Sequence, residues 1–157
     1  MAEVEVNIRR TLRVNWSPEQ AFEMVADVPR SAAHFPGLQR LEDLGDGVYR
    51  WHLSSFKVGK INFPVSYAAR YVPDPEAGTV TWSTDAGSKN TRADGQWVVT
   101  PDGDGARLVF QNRLVVVLPV PRMIARMANK IARDMTEKQI GAYLKRISRA
   151  MEGEVLR

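Results

Sequence analysis

Two histidines, His34 and His52, are the side chains of this sequence best suited to proton transfer or metal binding near neutral pH. Neither has a closely spaced acidic or histidine partner, so the sequence predicts no metal site and no bound cofactor. The chain has no cysteine, which excludes disulfides, thiolate catalysis and cysteine-bound metals. No Asp or Glu is apparent on the inward strand faces either, so the sequence offers few groups for acid–base catalysis.

Asn112 is a better candidate for ligand recognition, because it lies between Phe110 and Leu114 on an otherwise apolar strand face. A buried amide costs free energy unless a partner satisfies it. Tyr67 and Trp97 each combine an apolar ring with one polar group. We expect these side chains to orient a carbonyl or hydroxyl group of a ligand. A bond from Asn112 to a neighbouring side chain or to a buried water is the alternative.

These residues lie on a series of predicted strands. Apolar and polar residues alternate from Glu3 to Val14, a period of two that indicates a half-buried strand. Turn residues separate six further strands, and a polar loop at Asp85–Asn90 precedes the fifth of them. The six are predicted at Leu38–Leu44, Val48–Phe56, Phe63–Tyr71, Thr79–Thr84, Ala93–Val99 and Leu108–Leu118.

Three helices complete the pattern. Ser17 followed by Pro18 is typical of a capped helix start, and residues Val28–His34 favour a second short helix or turn. A long amphipathic helix is predicted at about 121–151, because apolar residues recur there at spacings of three and four. Its predicted apolar stripe consists of Ile124, Met127, Ile131, Met135, Ile140, Tyr143, Leu144, Ile147 and Met151.

The order of these elements predicts a single α+β domain over residues 1–157. A curved antiparallel sheet of about seven strands would wrap around the long C-terminal helix, with the two short helices placed after the first strand. A chain of 157 residues is long enough to bury a sizeable core. A long helix across a concave sheet leaves space between them, so we expect a ligand cavity there.

The net charge of +4 is concentrated at the start of the long helix, where Arg122, Arg126, Lys130 and Arg133 precede the first acid, Asp134. We interpret them as a solvated face whose side-chain stems cover apolar surface. Weak attraction to an anionic membrane surface is the alternative, and nucleic acid is less favoured because no aromatic residues are interleaved. The sequence has no signal peptide and no apolar run of ~20 residues, so we expect a cytoplasmic protein, peripheral to the membrane if that alternative holds.

Several segments resemble the START-like (SRPBCC) helix-grip superfamily. They are Gly95–Phe110, the passage from Leu118 into the terminal helix, Ser17–Phe22 after the first strand, and Phe35–Leu38. The resemblance covers nearly the whole chain and is nearest to the bacterial polyketide cyclase/dehydrase and coenzyme Q-binding branch. It consists of apolar positions and glycines rather than a catalytic signature.

The resemblance implies a deep apolar pocket between sheet and helix, entered near the short helices and the hairpin loops. His34 and Phe35 lie at its expected mouth, whereas His52 should point away because it alternates with inward-facing residues. The side chains predicted to line the pocket are Trp51, Leu53, Phe63, Val65, Tyr67, Trp82, Trp97, Phe110, Asn112, Leu114, Met127, Ile131 and Met135. Plain core packing is the alternative interpretation of each.

Three functions are compatible with this pocket. The first is binding of a hydrophobic small molecule, such as a lipid, an isoprenoid quinone or a polyketide-like aromatic, by a carrier or chaperone. The second is a cyclase or dehydratase that folds a polyketide-like chain in the cavity. The third, which the resemblance to ribosome-associated relatives raises, is an interaction protein that contacts RNA. The sequence leaves the ligand, the catalytic residues and the oligomeric state open.

Overall fold

The computed structural model describes residues 2–85 and 90–157. The helices are α1 (Pro18–Ala26), α2 (Val28–Ala32) and α3 (Ala125–Ala150), and a 3-10 turn at Arg122–Ile124 leads into α3. Residues 86–89 of the predicted polar loop lie outside the described residues. The strands are β1 (Ala2–Val14), β2 (Leu38–Gly45), β3 (Val48–Val58), β4 (Ile61–Asp74), β5 (Thr79–Thr84), β6 (Thr91–Asp102), β7 (Gly105–Leu118) and β8 (Gly153–Val155).

The strands form one antiparallel sheet in the order β2-β3-β4-β5-β6-β7-β1-β8. The first strand, β1, pairs along its whole length with β7, the last long strand, from Ala2 opposite Leu118 to Val14 opposite Ala106. Alternate residues of β1 are buried, as the period of two predicted. The predicted α+β helix-grip arrangement is confirmed, with an eighth strand of three residues that follows α3 and pairs with β1.

The two short helices begin at the positions that the sequence indicated. Ser17 accepts a hydrogen bond from the backbone N–H of Gln20, and the Gln20 side chain accepts one from the Ser17 N–H, which together form a capping box. Asp27 caps α2 through the N–H of Arg30. The segment predicted as a short helix or turn is therefore a helix of five residues, and its Ser31 side chain is buried.

The two halves of α3 bury side chains of different size. In the second half the buried residues include Tyr143, Leu144 and Ile147, which pack into the main core. In the first half only Ala128 and Ala132 are fully buried. Because alanine projects one methyl group, this half of the helix cannot fill the concave side of the sheet.

Among the described residues, no helix has the length and apolar character needed to cross a membrane.

Candidate functional site

A cavity lies between the first half of α3 and the sheet. Its volume is about 90 Å³, which exceeds the ~10–15 Å³ that a single water needs on the same measure. Strands β3 to β7 supply most of its wall, and α1, α2 and α3 close it. The β3 irregularity between Leu53 and Phe56 shifts the register against β4, so that both side chains face the cavity although three positions separate them.

Most of the side chains predicted to line the pocket do line this cavity. Phe35, predicted at the mouth, is also part of the wall. Asn112 lies on the same wall as the aromatic residues of β5, β6 and β7. The predicted residues that the structure brings together are Trp51, Leu53, Val65, Tyr67, Trp82, Trp97, Phe110, Asn112, Leu114 and Met135.

Four predicted residues lie elsewhere. Phe63 is buried and stacks on Phe56, with 5.5 Å between ring centroids, so it serves the core behind the cavity. Met127 is 48% exposed, and Ile131 packs half-buried against the core beside the cavity. His34 lies outside the lining, and its Nδ1 is 3.2 Å from the carbonyl oxygen of Ser31.

The helix residues show why Met127 was misplaced. The predicted stripe assigned the large residues of the first half of α3 to the inside; Met135 does line the cavity, but the fully buried positions there are Ala128 and Ala132. Counting back by threes and fours from Tyr143 leads to Gln139, Thr136 and Ala132, all of which line the cavity. This inward helix face could be identified from the sequence, but the larger side chains at the neighbouring positions favoured a different face.

Sequence reasoning also missed five polar residues of the wall, Ser31, Ser54, Tyr71, Thr136 and Gln139, and assigned Tyr143 to the helix stripe but not to the pocket. Tyr71 shares the inward face of β4 with Tyr67, which the period of two indicated. Ser31 carried no signal, because its position depends on how α2 docks onto α3. The cavity wall is therefore more polar than predicted.

Aromatic rings form a belt around the cavity. Phe35 contacts Trp51 on one side and Tyr143 on the other, with centroid distances of 6.0 and 5.7 Å. Phe110 continues the belt, at 6.1 Å from Tyr143 and 5.7 Å from Trp82. Most of these pairs are tilted or edge-to-face, which are the favourable arrangements of aromatic quadrupoles. The belt presents a rigid apolar surface to whatever occupies the space.

Two hydrogen bonds satisfy polar groups in the belt. The Oγ of Ser31 and the Oη of Tyr143 are 2.6 Å apart, and either hydroxyl can be the donor. The Nε1–H of Trp82 donates to Oδ1 of Asn112 at 2.9 Å. The carbonyl of Asn112, predicted as a ligand anchor, thus binds a neighbouring side chain, which was the alternative interpretation.

Gly95 makes room for the bond between Trp82 and Asn112. A Cβ at Gly95 would lie 2.6 Å from the Trp82 ring and would also meet the carbonyl oxygen of Gln111. The missing side chain therefore allows the indole to lie flat across β6, where its N–H reaches Asn112 on β7.

The Trp51 indole nitrogen is buried, and among the described residues it has no hydrogen-bond partner. The Trp51 side chain lies near enough to the Tyr71 hydroxyl to oppose part of the rise that burial causes in the pKa of that hydroxyl, but the two groups do not meet the geometry of a hydrogen bond. An unsatisfied buried donor costs about 1–3 kcal/mol. The cavity therefore contains one donor whose partner the chain does not supply.

The polar groups of the cavity are uncharged at neutral pH. Burial raises the pKa of Tyr143 to about 12, with the Ser31 and Trp97 side chains partly offsetting the shift. Burial likewise raises the pKa values of Tyr67 and Tyr71 well above the usual range. Among the described residues, no Asp, Glu, Lys, Arg or His lines the cavity. These tyrosines can donate hydrogen bonds at neutral pH but cannot act there as phenolate bases.

His52 points away from the cavity, as alternation along β3 predicted. Its Nε2 is 2.6 Å from Oε1 of Glu42, and Arg40 binds the same carboxylate at 2.8 Å. Hydrogen bonds from these two side chains lower the pKa of the Glu42 carboxyl. The described residues contain no group of His, Asp and Glu side chains arranged to hold a metal ion.

Comparison with known proteins identifies relatives of this fold. The sequence matches the model of the family described as "Polyketide cyclase / dehydrase and lipid transport" over residues 5–152. No curated protein matches the sequence.

Solved structures agree in fold at low sequence identity. Zhui aromatase/cyclase from Streptomyces sp. R1128 is 16% identical, with a TM-score of 0.69 over 94% of this chain and 93% of that one. Norcoclaurine synthase from Thalictrum flavum is 19% identical, with a TM-score of 0.59 over 96% of this chain and 95% of that one. A protein from Thermus thermophilus is 18% identical, with a TM-score of 0.60 over 94% and 98% of the two chains.

Proposed function

Because the chain belongs to the polyketide cyclase/dehydrase and lipid transport family, we propose that it binds a hydrophobic small molecule in its cavity and acts as a carrier. The observation that supports this most directly is the aromatic belt around an uncharged space between sheet and helix. A lipid tail, an isoprenoid quinone and a polyketide-like aromatic all suit such a wall. The proposed contacts are the lining residues described above, from Phe35 on the short-helix side to Met135 on α3.

The polar groups of the site favour holding a ligand over acid–base turnover. A general base must accept a proton at the working pH, and the buried tyrosines stay protonated there. The hydroxyls of the wall can instead orient a ligand by donating hydrogen bonds. Methionine at position 135 supplies a flexible side chain that adapts to ligands of different shape.

Native mass spectrometry of gently purified protein tests the proposal, with the organic extract of the same sample analysed for released molecules. We expect a stoichiometric hydrophobic compound. Titration of the delipidated protein with that compound should quench the tryptophan fluorescence, because Trp51, Trp82 and Trp97 line the cavity. A protein that carries no such compound and whose fluorescence responds to no lipid, quinone or aromatic ketone would contradict the carrier function.

A cyclase is the second candidate function, and the Ser31–Tyr143 hydroxyl pair inside the cavity favours it. A cavity that holds a flexible poly-ketone folded brings its carbons together, and positioning alone can accelerate ring closure greatly. The test is to incubate the protein with a linear poly-ketone analogue and to follow aromatic absorbance. If this function holds, Tyr143→Phe slows turnover and leaves analogue affinity within about twofold.

We also propose weak contact with anionic membrane surfaces through the start of α3. Met123 is 95% exposed and Met127 is 48% exposed, and Arg122 and Arg126 flank them in the sequence. Exposed apolar side chains among cations suit an anionic bilayer surface. The contribution of Lys130 is reduced by its bond to Asp134 at 2.6 Å, and Arg133 lies on the next turn.

Sedimentation with phosphatidylcholine vesicles, with and without phosphatidylserine, tests this contact. Binding should require phosphatidylserine and should weaken in Arg122→Gln and Met123→Ser. Lys145→Gln is the matched control, since it removes one exposed charge from the far half of α3. If Lys145→Gln lost as much vesicle binding as the other variants, or if RNA rather than lipid competed for the protein, the proposed membrane contact would be contradicted.

A further inference from the structure

We propose that the indole N–H of Trp51 determines the specificity of the cavity by donating a hydrogen bond to an uncharged acceptor of the ligand. This inference rests on the proposed binding function and deepens it. The acceptor would be a ketone, quinone or ether oxygen on an apolar molecule. Hydrocarbons lack such an acceptor, and carboxylates carry a charge that the cavity does not balance.

The first argument is that Trp51 differs from the other tryptophans of the wall. Its side chain lines the cavity with 7% of its surface exposed, and its Nε1 has no partner among the described residues. Trp82 donates to Asn112 at 2.9 Å, and among the described residues Trp51 Nε1 is the one buried side-chain nitrogen or oxygen without a hydrogen-bond partner. A buried N–H without an acceptor is uncommon in folded proteins, and a ligand is one means of satisfying it.

The second argument is that the Trp51 ring is held in place. It stacks on Tyr67 with 6.2 Å between centroids and 7° between planes, and Phe35 meets it edge-on at 6.0 Å and 81°. Rings on two sides restrict rotation of the indole toward the Tyr71 hydroxyl, which lies near it without accepting a hydrogen bond. The donor is therefore oriented before a ligand arrives, so little conformational entropy is lost when it forms a bond.

The third argument concerns charge. Among the described lining residues none is ionised at neutral pH, so a buried carboxylate would lose its hydration without gaining a counter-charge. A neutral carbonyl oxygen loses less on burial and regains a hydrogen bond from Trp51. The wall therefore selects against ionised fatty acids as well as against ligands without an acceptor.

The test uses three probes of nearly equal size: 2-acetylnaphthalene, 2-ethylnaphthalene and 2-naphthoate. Calorimetric affinities are measured for wild type, Trp51→Phe and Trp16→Phe. We expect the ratio of ketone affinity to hydrocarbon affinity to be about tenfold higher in wild type than in Trp51→Phe. The naphthoate should bind most weakly in all three proteins. Trp16→Phe is the control, because Trp16 lies outside the cavity lining and packs under Arg30.

A measurement on wild type alone covers the case in which Trp51→Phe does not fold. The ketone should shift the Trp51 indole N–H resonance downfield in a ¹H–¹⁵N spectrum, and the hydrocarbon should not, with the resonance assigned from Phe variants of the other three tryptophans. Equal ketone preference in wild type and Trp51→Phe, or an unshifted resonance, would overturn the role of Trp51 while leaving the binding function intact. If none of the probes binds wild type, neither this inference nor binding of compact aromatic ligands survives.

Discussion

The hydroxyl oxygens of Tyr143 and Ser31 lie 2.6 Å apart, although the two residues are 112 positions apart in the chain. This bond joins the second half of α3 to α2, and both residues line the cavity. Both side chains are buried, at 6% and 5% exposure, so neither hydroxyl can exchange its partner for bulk water. The position of α2, and with it that of Phe35, therefore depends on a polar contact made by the long helix.

Tyr143→Phe should lower the free energy of unfolding by about 1–3 kcal/mol, because it leaves the Ser31 hydroxyl buried without a partner. Urea denaturation measures the loss. Ser31→Ala with Tyr143→Phe provides the control: removing both hydroxyls should cost less than the sum of the two single changes. Strict additivity would mean that the two hydroxyls do not stabilise each other.

The buried tyrosines predict a loss of stability in alkali. The pKa of Tyr143 is raised to about 12 in the folded protein, against about 10 for an unfolded tyrosine. Since the folded-state pKa is the higher, this stabilisation is complete below about pH 10 and is lost as the pH rises toward 12. The slope should approach 1.4 kcal/mol per pH unit for each such tyrosine.

Urea denaturation from neutral pH to about pH 11 measures this slope, and Tyr143→Phe should reduce it. Phenolate absorbance provides an independent readout. All four tyrosines have raised pKa values in the folded protein. Absorbance that rises with a midpoint at the ordinary pKa of tyrosine, while the protein is still folded, would contradict the burial of these hydroxyls.

Ala132→Leu should block the cavity without unfolding the protein. Ala132 lines the empty space, so a larger side chain can occupy it, and we expect ligand affinity to fall at least tenfold with little change in melting temperature. Ala128→Leu is the matched control one turn earlier. That position is fully buried and lies outside the cavity, so overpacking should cost about 1–3 kcal/mol there. If instead Ala128→Leu lowered ligand affinity and Ala132→Leu destabilised the protein, the cavity would have to lie elsewhere along α3.

Asn112→Leu should destabilise the protein by about 1–3 kcal/mol, because the Trp82 N–H loses its acceptor. Thermal denaturation measures the effect. Gln111→Leu, the neighbouring change, removes only a half-buried bond to Gln96 and should cost less. Equal losses at the two positions would mean that the bond from Trp82 contributes nothing specific.

The strands were predictable because their signals are local. Alternation along β1 and the turn residues that flank β7 fix which face of each strand is buried, so Trp97, Phe110 and Leu114 could be assigned to one wall. The capping box at Ser17 is likewise a short-range signal. The eighth strand was missed because three residues carry too little pattern to distinguish from a tail.

The cavity itself was less predictable, because it depends on where large side chains are missing from the inner face of α3. Periodicity identified α3, but the assignment of Met127 to its inner face assumed that the larger residue packs inside. The structure places alanines there and leaves space. The missing partner of Trp51 depends on how rings from β3, β4 and the segment after α2 pack together, and no spacing in the sequence encodes that arrangement.

The unequal halves of α3 imply unequal protection of its backbone amides. Leu144 and Ile147 anchor the second half in the core, whereas the first half rests on Ala128 and Ala132 beside an open space. Helix segments with fewer buried apolar contacts open at lower free energy. Amides of residues 126–136 should therefore exchange with deuterium before those of residues 140–150, and a bound ligand should slow exchange mainly in the first set.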